Sequence, residues 1–121
     1  MVKFSDSVMV LGSEYKIRVS DKKKDKSLDD CDGYCKVSES VIGVRDLHDD
    51  DDWKSESESH IRSRMKKILR HEIVHAFLHQ SGLSENACVY DSAWSRNEEM
   101  VDWFAIQGTK IYKAWKEAGA L

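Results

Sequence analysis

Two histidines four residues apart, with a glutamate directly after the first, stand in the segment Leu69-Arg70-His71-Glu72-Ile73-Val74-His75. On a helix, residues four apart lie one turn above each other, so His71 and His75 aim two imidazole nitrogens at one point. Glu72 is rotated beside them, within reach of a water on a shared metal ion without ligating that ion. Zinc takes nitrogen and oxygen donors in a tetrahedral shell, and a catalytic zinc site keeps one position for water. The chemistry this pattern offers is metal-assisted hydrolysis with Glu72 as general base. The competing reading is a hydrogen-bonded polar cluster without metal. The phase of the motif speaks against it. Ile61, Met65 and Ile68 define an apolar stripe on the same helix, and His71, Glu72 and His75 fall on or at its edge. Such groups are costly beside a core unless something pairs them.

A third protein ligand is needed. A metzincin-like continuation would place glycine and histidine where Leu78 and Ser81 stand. An aspzincin-like continuation would place an aspartate at Tyr112, after Gly108-Thr109. Neither fits. The segment Asn97-Glu98-Glu99-Met100-Val101-Asp102 offers two glutamates separated by helical phase. Glu98 precedes Val101 by three residues and shares its stripe, whereas Glu99 falls about 160° from Val101, on the solvent face. Glu98 is therefore the expected third ligand. Asp102, one turn on, is placed to accept the outward N–H of a metal-binding histidine. Ser95-x-x-Glu98 also reads as a capping box, which leaves Glu98 a competing structural role.

These residues carry a resemblance. Glu98-x-x-x-Asp102 after His-Glu-x-x-His is similar to the second motif of thermolysin-like gluzincins. The segment from Asn97 to Ala105 resembles the Glu-x-x-Ala-x-x-Phe-Ala helix of the ImmA/IrrE-type metallopeptidases, with Val101 in place of the alanine. Leu11 to Ile17, and Cys31-Asp32-Gly33-Tyr34-Cys35, resemble segments of short phage and prophage metallopeptidases. The resemblance implies a minimal zincin fold, Zn2+ held by His71, His75 and Glu98, Glu72 as catalytic base, and a peptide or protein substrate. It also implies a phage or prophage origin, with the bacterial cytoplasm as the place of action. By analogy with zincins, a peptide is expected to lie along the strand Val41–Arg45. His79, Tyr90 and Tyr112 are the candidate oxyanion stabilisers.

The elements that must position this site follow from patterning. Val8 to Leu11 is a short apolar stretch, Gly12-Ser13 a turn, and Tyr15, Ile17 and Val19 alternate with Lys16 and Arg18 as a half-buried strand does. Tyr34 to Val37 and Val41 to Arg45 form a second hairpin around Ser38-Glu39-Ser40. Gly43 within it marks a bulge or a close backbone approach. A first helix is expected from about Ser57 to Ser81, stopped by Gly82. A second runs from about Asn97 to Ala118, with Val101, Phe104, Ala105, Gly108, Ile111, Tyr112 and Trp115 as its apolar stripe. Leu83 to Trp94 reads as a loop between them. The order predicts an α+β fold: a small antiparallel or mixed sheet of three or four strands packed on two main helices.

The bulk properties set the surroundings. A chain of 121 residues implies one domain, 1–121, without the C-terminal region of longer peptidases. A net charge of −3 excludes a general nucleic-acid or membrane-surface binder, and no apolar run approaches membrane-spanning length. The N-terminus lacks a signal-peptide layout, which makes a cytoplasmic location the expectation. Three cysteines fit free thiols better than a disulfide scaffold: Cys31 and Cys35 beside a turn, and Cys88. Lys22 to Lys24 and the four aspartates Asp49 to Asp52 read as solvated loops, and His48 and His60 as solvated side chains. The alternative to an enzyme is a non-catalytic, zinc-stabilised protein that engages a host or phage partner.

Overall fold

A computed structural model describes residues 3–48, 50–83 and 96–121. All of the expected loop Leu83 to Trp94 beyond Leu83, with Cys88 and Tyr90, lies outside the described residues, as do Ser95 and Asp49. The fold is α+β. Strands β1 (Ser7–Val10), β2 (Ser13–Ser20), β3 (Gly33–Lys36) and β4 (Val41–Arg45) precede helices α1 (Glu58–Gln80) and α2 (Glu98–Glu117). Leu11 and Gly12, with φ of 48° and 86°, make the two-residue turn between β1 and β2. Both residues of such a turn are left-handed, which suits the twist of the strands it joins.

The four strands form one mixed sheet in the order β1-β2-β4-β3. β4 pairs with β2 in parallel and with β3 antiparallel. This corrects one expectation. Val41–Arg45 is interior, with partners on both sides, and is closed to an added peptide strand. Its sequence already carried the reason: Val41, Ile42 and Val44 form a near-continuous apolar run, the mark of a strand buried on both faces. The free edge on that side of the sheet is β3.

Gly43 is not bulged, for it stays in register with Arg18 on one side and Tyr34 on the other. What comes close is a side chain rather than a backbone. The Tyr34 ring lies where a Cβ on Gly43 would be, and its hydroxyl donates to Asp25 Oδ2 at 2.6 Å. A large ring thereby covers the outer face of the sheet at its thinnest point.

The core lies between the sheet and α1. Val10, Tyr15, Ile42 and Val44 meet Ile61, Met65, Ile68 and Ala76. Ser57 caps α1 by accepting from the His60 N–H, and Gly82 follows its C-terminus at φ +86°. At that end Tyr15 donates to Gln80 Oε1 at 2.8 Å, and Gln80 Nε2 donates to Ser13 Oγ at 2.7 Å. α1 is thus fixed to the sheet along its length, which gives its motif a rigid base.

Among the described residues, α2 packs with its N-terminal half only. Val101 and Ala105 are buried, while Phe104, Tyr112 and Trp115 of the expected stripe are exposed, as are Trp103 and Ile106. Arg70 clasps the packed half by donating to the Ala105 carbonyl at 2.7 Å. No described helix is long and apolar enough to cross a membrane.

Two loop readings change. Asp50 is buried and ion-paired with Arg45, so the aspartate run is not wholly solvated, although Asp51 is exposed. His48 is held between Asp46 Oδ1 at 2.6 Å and Glu58 Oε2 at 2.8 Å. These two carboxylates favour its protonated form and raise its pKa. His60 is exposed as expected and lies edge-on to Trp53.

Candidate metal centre

The buried row of α1 runs Ile61, Met65, Ile68, Glu72, Ala76, at helical steps of four and three. Glu72 therefore sits in the core stripe itself, with 7% of its surface exposed. His71 and His75 flank it, half-buried, on the side that faces α2. Their rings stand edge to face, 4.8 Å apart at the centroids, and their Nε2 atoms approach to 3.1 Å.

Asp102 of α2 receives His71 Nδ1 at 2.9 Å. That bond fixes the proton of His71 on Nδ1 and leaves the Nε2 lone pair directed at the shared point. The imidazole bond in turn favours the Asp102 carboxylate and holds its pKa below the usual range, with Lys67 Nζ, 3.7 Å away, adding to the effect. Glu98, in the first turn of α2, brings Oε1 to 2.6 Å from His75 Nε2 and Oε2 to 3.5 Å from His71 Nε2. The cap of this helix is Asn97, whose side chain accepts from the Met100 N–H. Glu98 is thus the first helical residue rather than the third, and the capping-box role falls away. It is exposed rather than buried on the stripe, but helical phase turns it toward the histidines, as expected.

The donor set suits a metal. Ligand atoms of His71, Glu72 and His75 lie within 4.8 Å of one another. Adjacent donors in a tetrahedral zinc shell stand about 3.3 Å apart, from bond lengths near 2.0–2.1 Å. The separations of 3.1, 2.6 and 3.5 Å among the two Nε2 atoms and Glu98 bracket that value. Two carboxylates compete for the third position, and distance separates them. Glu98 stands within 3.5 Å of both imidazole nitrogens, whereas Glu72 lies deeper, at the base of the site.

Electrostatics separate them as well. Burial raises the Glu72 pKa to about 7, with His71 opposing the shift and Glu98 adding to it. A carboxyl that titrates near neutrality can both take and return a proton. Burial also lowers the His75 pKa, keeping the ring neutral and able to ligate.

The site opens into a cleft of about 360 Å³ between α1, the start of α2 and the residues leading into β3. Cys31, Asp32, Gly33, Arg64 and Lys67 line it beside the motif residues. None of these five had been assigned to the site from sequence. Arg64 and Lys67 precede His71 by seven and four residues, a spacing that puts all three on one helix face. Cys31 and Cys35 are both free. Burial and the nearby Glu72 push the Cys35 thiol up to about 11. His79 and Tyr112 are not among the residues lining the cleft, and Tyr90 is outside the described residues.

Gly33 sets the distance from sheet to helix. A Cβ there would come within 2.6 Å of Ile68 Cγ2, 3.0 Å of the Gly43 carbonyl oxygen and 3.2 Å of Glu72 Cγ. Gly33→Ala is expected to push α1 outward at Glu72 and destabilise the fold by about 1–3 kcal/mol, the usual range for overpacking. Urea unfolding would register this as a lower midpoint, and an unchanged midpoint would show that α1 has room to spare. Comparison of the chain with models of protein families, with curated proteins and with solved structures finds no match in any of the three.

Proposed function

We propose that this protein is a zinc-dependent metallopeptidase of the gluzincin type, resembling ImmA/IrrE-like enzymes, with His71, His75 and Glu98 as ligands and Glu72 as general base. The observation that carries the reading is the meeting of two helices. α1 supplies two imidazole nitrogens 3.1 Å apart, and α2 supplies both a carboxylate against them and Asp102 behind His71.

A zinc ion held by His71, His75 and Glu98 would supply Lewis acidity, activating water and polarising a carbonyl. Glu72 takes the proton from the attacking water and returns it to the leaving amine. Asp102 keeps His71 in the ligating tautomer throughout. The substrate pairs its backbone with the free edge of β3, whose first residue, Gly33, lines the same cleft, in place of the interior β4.

A non-catalytic, zinc-stabilised partner-binding protein is the second reading. It is favoured by Trp103, Phe104, Tyr112 and Trp115, exposed along α2. Incubation of the zinc-loaded protein with a diverse peptide library, followed by mass spectrometry, separates the two. New termini that appear with zinc and vanish with chelator are the expected result. One bound zinc with no new termini would overturn the peptidase reading in favour of the second.

A further inference from the structure

We propose that the cleft beside the metal centre holds a carboxylate subsite built on Lys67 and backed by Arg64, so that the preferred peptides carry a carboxylate close to the scissile bond. The inference rests on the peptidase reading for the word substrate, but the binding it describes stands on its own.

Lys67 and Arg64 lie on the cleft-lining face of α1. At 1.5 Å per residue they sit about 6 Å and about 10 Å from His71 along the helix axis, about two and three peptide residues away in extended chain. The two cations differ in how far they are committed. Arg64 is a fixed wall: its Nη2 donates to Asp32 Oδ2 at 2.9 Å, and its guanidinium stands 6.0 Å from the Trp53 ring. Its Nε is buried without an acceptor among the described residues, a desolvated donor that adds to the positive potential on this side. Lys67 has a looser engagement, with Asp102 Oδ1 at 3.7 Å, and about a quarter of its side chain is exposed.

The carboxylates of the cleft offset this charge only in part, because each faces other groups as well, and Glu72 is buried with its charged form disfavoured. Asp32 is shared between Arg64 and Arg45. Asp102 is held by His71 at 2.9 Å, and Glu98 is turned onto the histidines. A divalent cation held by Glu98 and the imidazoles would leave the cleft with a positive excess while Glu72 is neutral, although the chain carries −3. Low-dielectric walls concentrate such a field and favour an anionic ligand. An ammonium group is a compact point charge suited to a single carboxylate. That carboxylate has two sources, an acidic side chain or the C-terminus of the peptide.

The test measures binding, by calorimetry, to zinc-loaded Glu72→Gln protein, which keeps the cleft and removes the base. The probes are acetylated alanine pentapeptides in three forms: one with a central glutamate and an amidated C-terminus, one with glutamine in its place, and one neutral but with a free C-terminal carboxylate. At least one carboxylate probe is expected to bind tenfold or more tighter than the glutamine amide, and which one does so identifies the source. Lys67→Gln should abolish the preference and Lys67→Arg should retain it, with bound zinc unchanged in both. Equal binding of all three probes, no binding of any, or a preference that survives Lys67→Gln would overturn the subsite. Zinc-dependent cleavage of neutral peptides without carboxylate preference would leave the peptidase reading standing alone. Lys67-dependent binding without any cleavage would leave the subsite standing alone.

Discussion

Zinc added to the metal-free protein should raise its thermal midpoint by roughly 10–20 °C, and His75→Ala should remove most of that gain. The size follows from linkage: a ligand at 1,000 times its dissociation constant stabilises the folded state by about 4 kcal/mol. For a chain of this length each kcal/mol moves the midpoint by roughly 3–5 °C. The proposed zinc donors are drawn from α1 and α2, so the ion would tie together two elements joined, among the described residues, by Val101, Ala105, the Arg70 clasp and the contacts of Asp102 with His71 and Lys67. Removing His75 takes away the nitrogen that faces both His71 Nε2 and Glu98 Oε1. Because His75 is half-buried beside the core row rather than within it, the metal-free variant should remain folded. The decisive quantity is the difference between midpoints with and without zinc, measured by circular dichroism for each protein. An equal gain in the variant would sink the ligand assignment, whatever the variant's own stability.

The parts of this site that could be read from sequence are those fixed by a single helix. The spacing of His71 and His75, the placement of Glu72 in the buried row, and the choice of Glu98 over Glu99 all follow from a 3.6-residue period, and each side chain faces as that period directs, although Glu98 is exposed rather than buried. Asp102 behind His71 followed from the same arithmetic on α2. What depended on pairing between distant segments was harder to see. Arg45 and Asp50 lie five residues apart, yet the burial of Asp50 depends on how the end of β4 packs. The interior place of Val41–Arg45 was missed although a signal was present, for the apolar run of β4 described a strand covered on both sides. The apolar stripe of α2 was read correctly as a pattern, but it is buried only in part: Val101 and Ala105 are covered, whereas Phe104, Tyr112 and Trp115 are exposed. Periodicity shows that a face exists and not what covers it: beyond Ala105 the described residues place nothing over Tyr112 and Trp115. Gly33 illustrates the remaining gap. Its smallness allows α1 to approach the sheet at Glu72, a contact between residues far apart in the chain that no local pattern encodes.

Glu72→Gln should yield a protein that is more stable without metal and inactive with it. The folded-state pKa of Glu72 is raised to about 7, from an ordinary value of 4.5, because burial penalises the charged form. A raised carboxyl pKa means that its favourable contribution is fully present below about pH 4.5 and is lost as pH rises through about 7. At pH 8 the metal-free fold must then hold a buried negative charge, a penalty of about 3 kcal/mol relative to acid conditions. Glutamine has nearly the same shape and no charge. The variant should therefore match wild type near pH 4 and exceed it by about 2–3 kcal/mol at pH 8, as urea unfolding at the two values would report. Bound zinc should remain near one per chain, because the proposed ligands are His71, His75 and Glu98. Any peptide hydrolysis detected in wild type should fall by a factor of about 10²–10⁴, the usual contribution of a positioned base. The two readouts test different links. A variant no more stable than wild type at pH 8 would mean that Glu72 is already paired in the metal-free fold. Hydrolysis that survived the change would remove Glu72 from the reaction. Gain of stability together with loss of activity is the combination expected of a residue retained for chemistry at the expense of the fold.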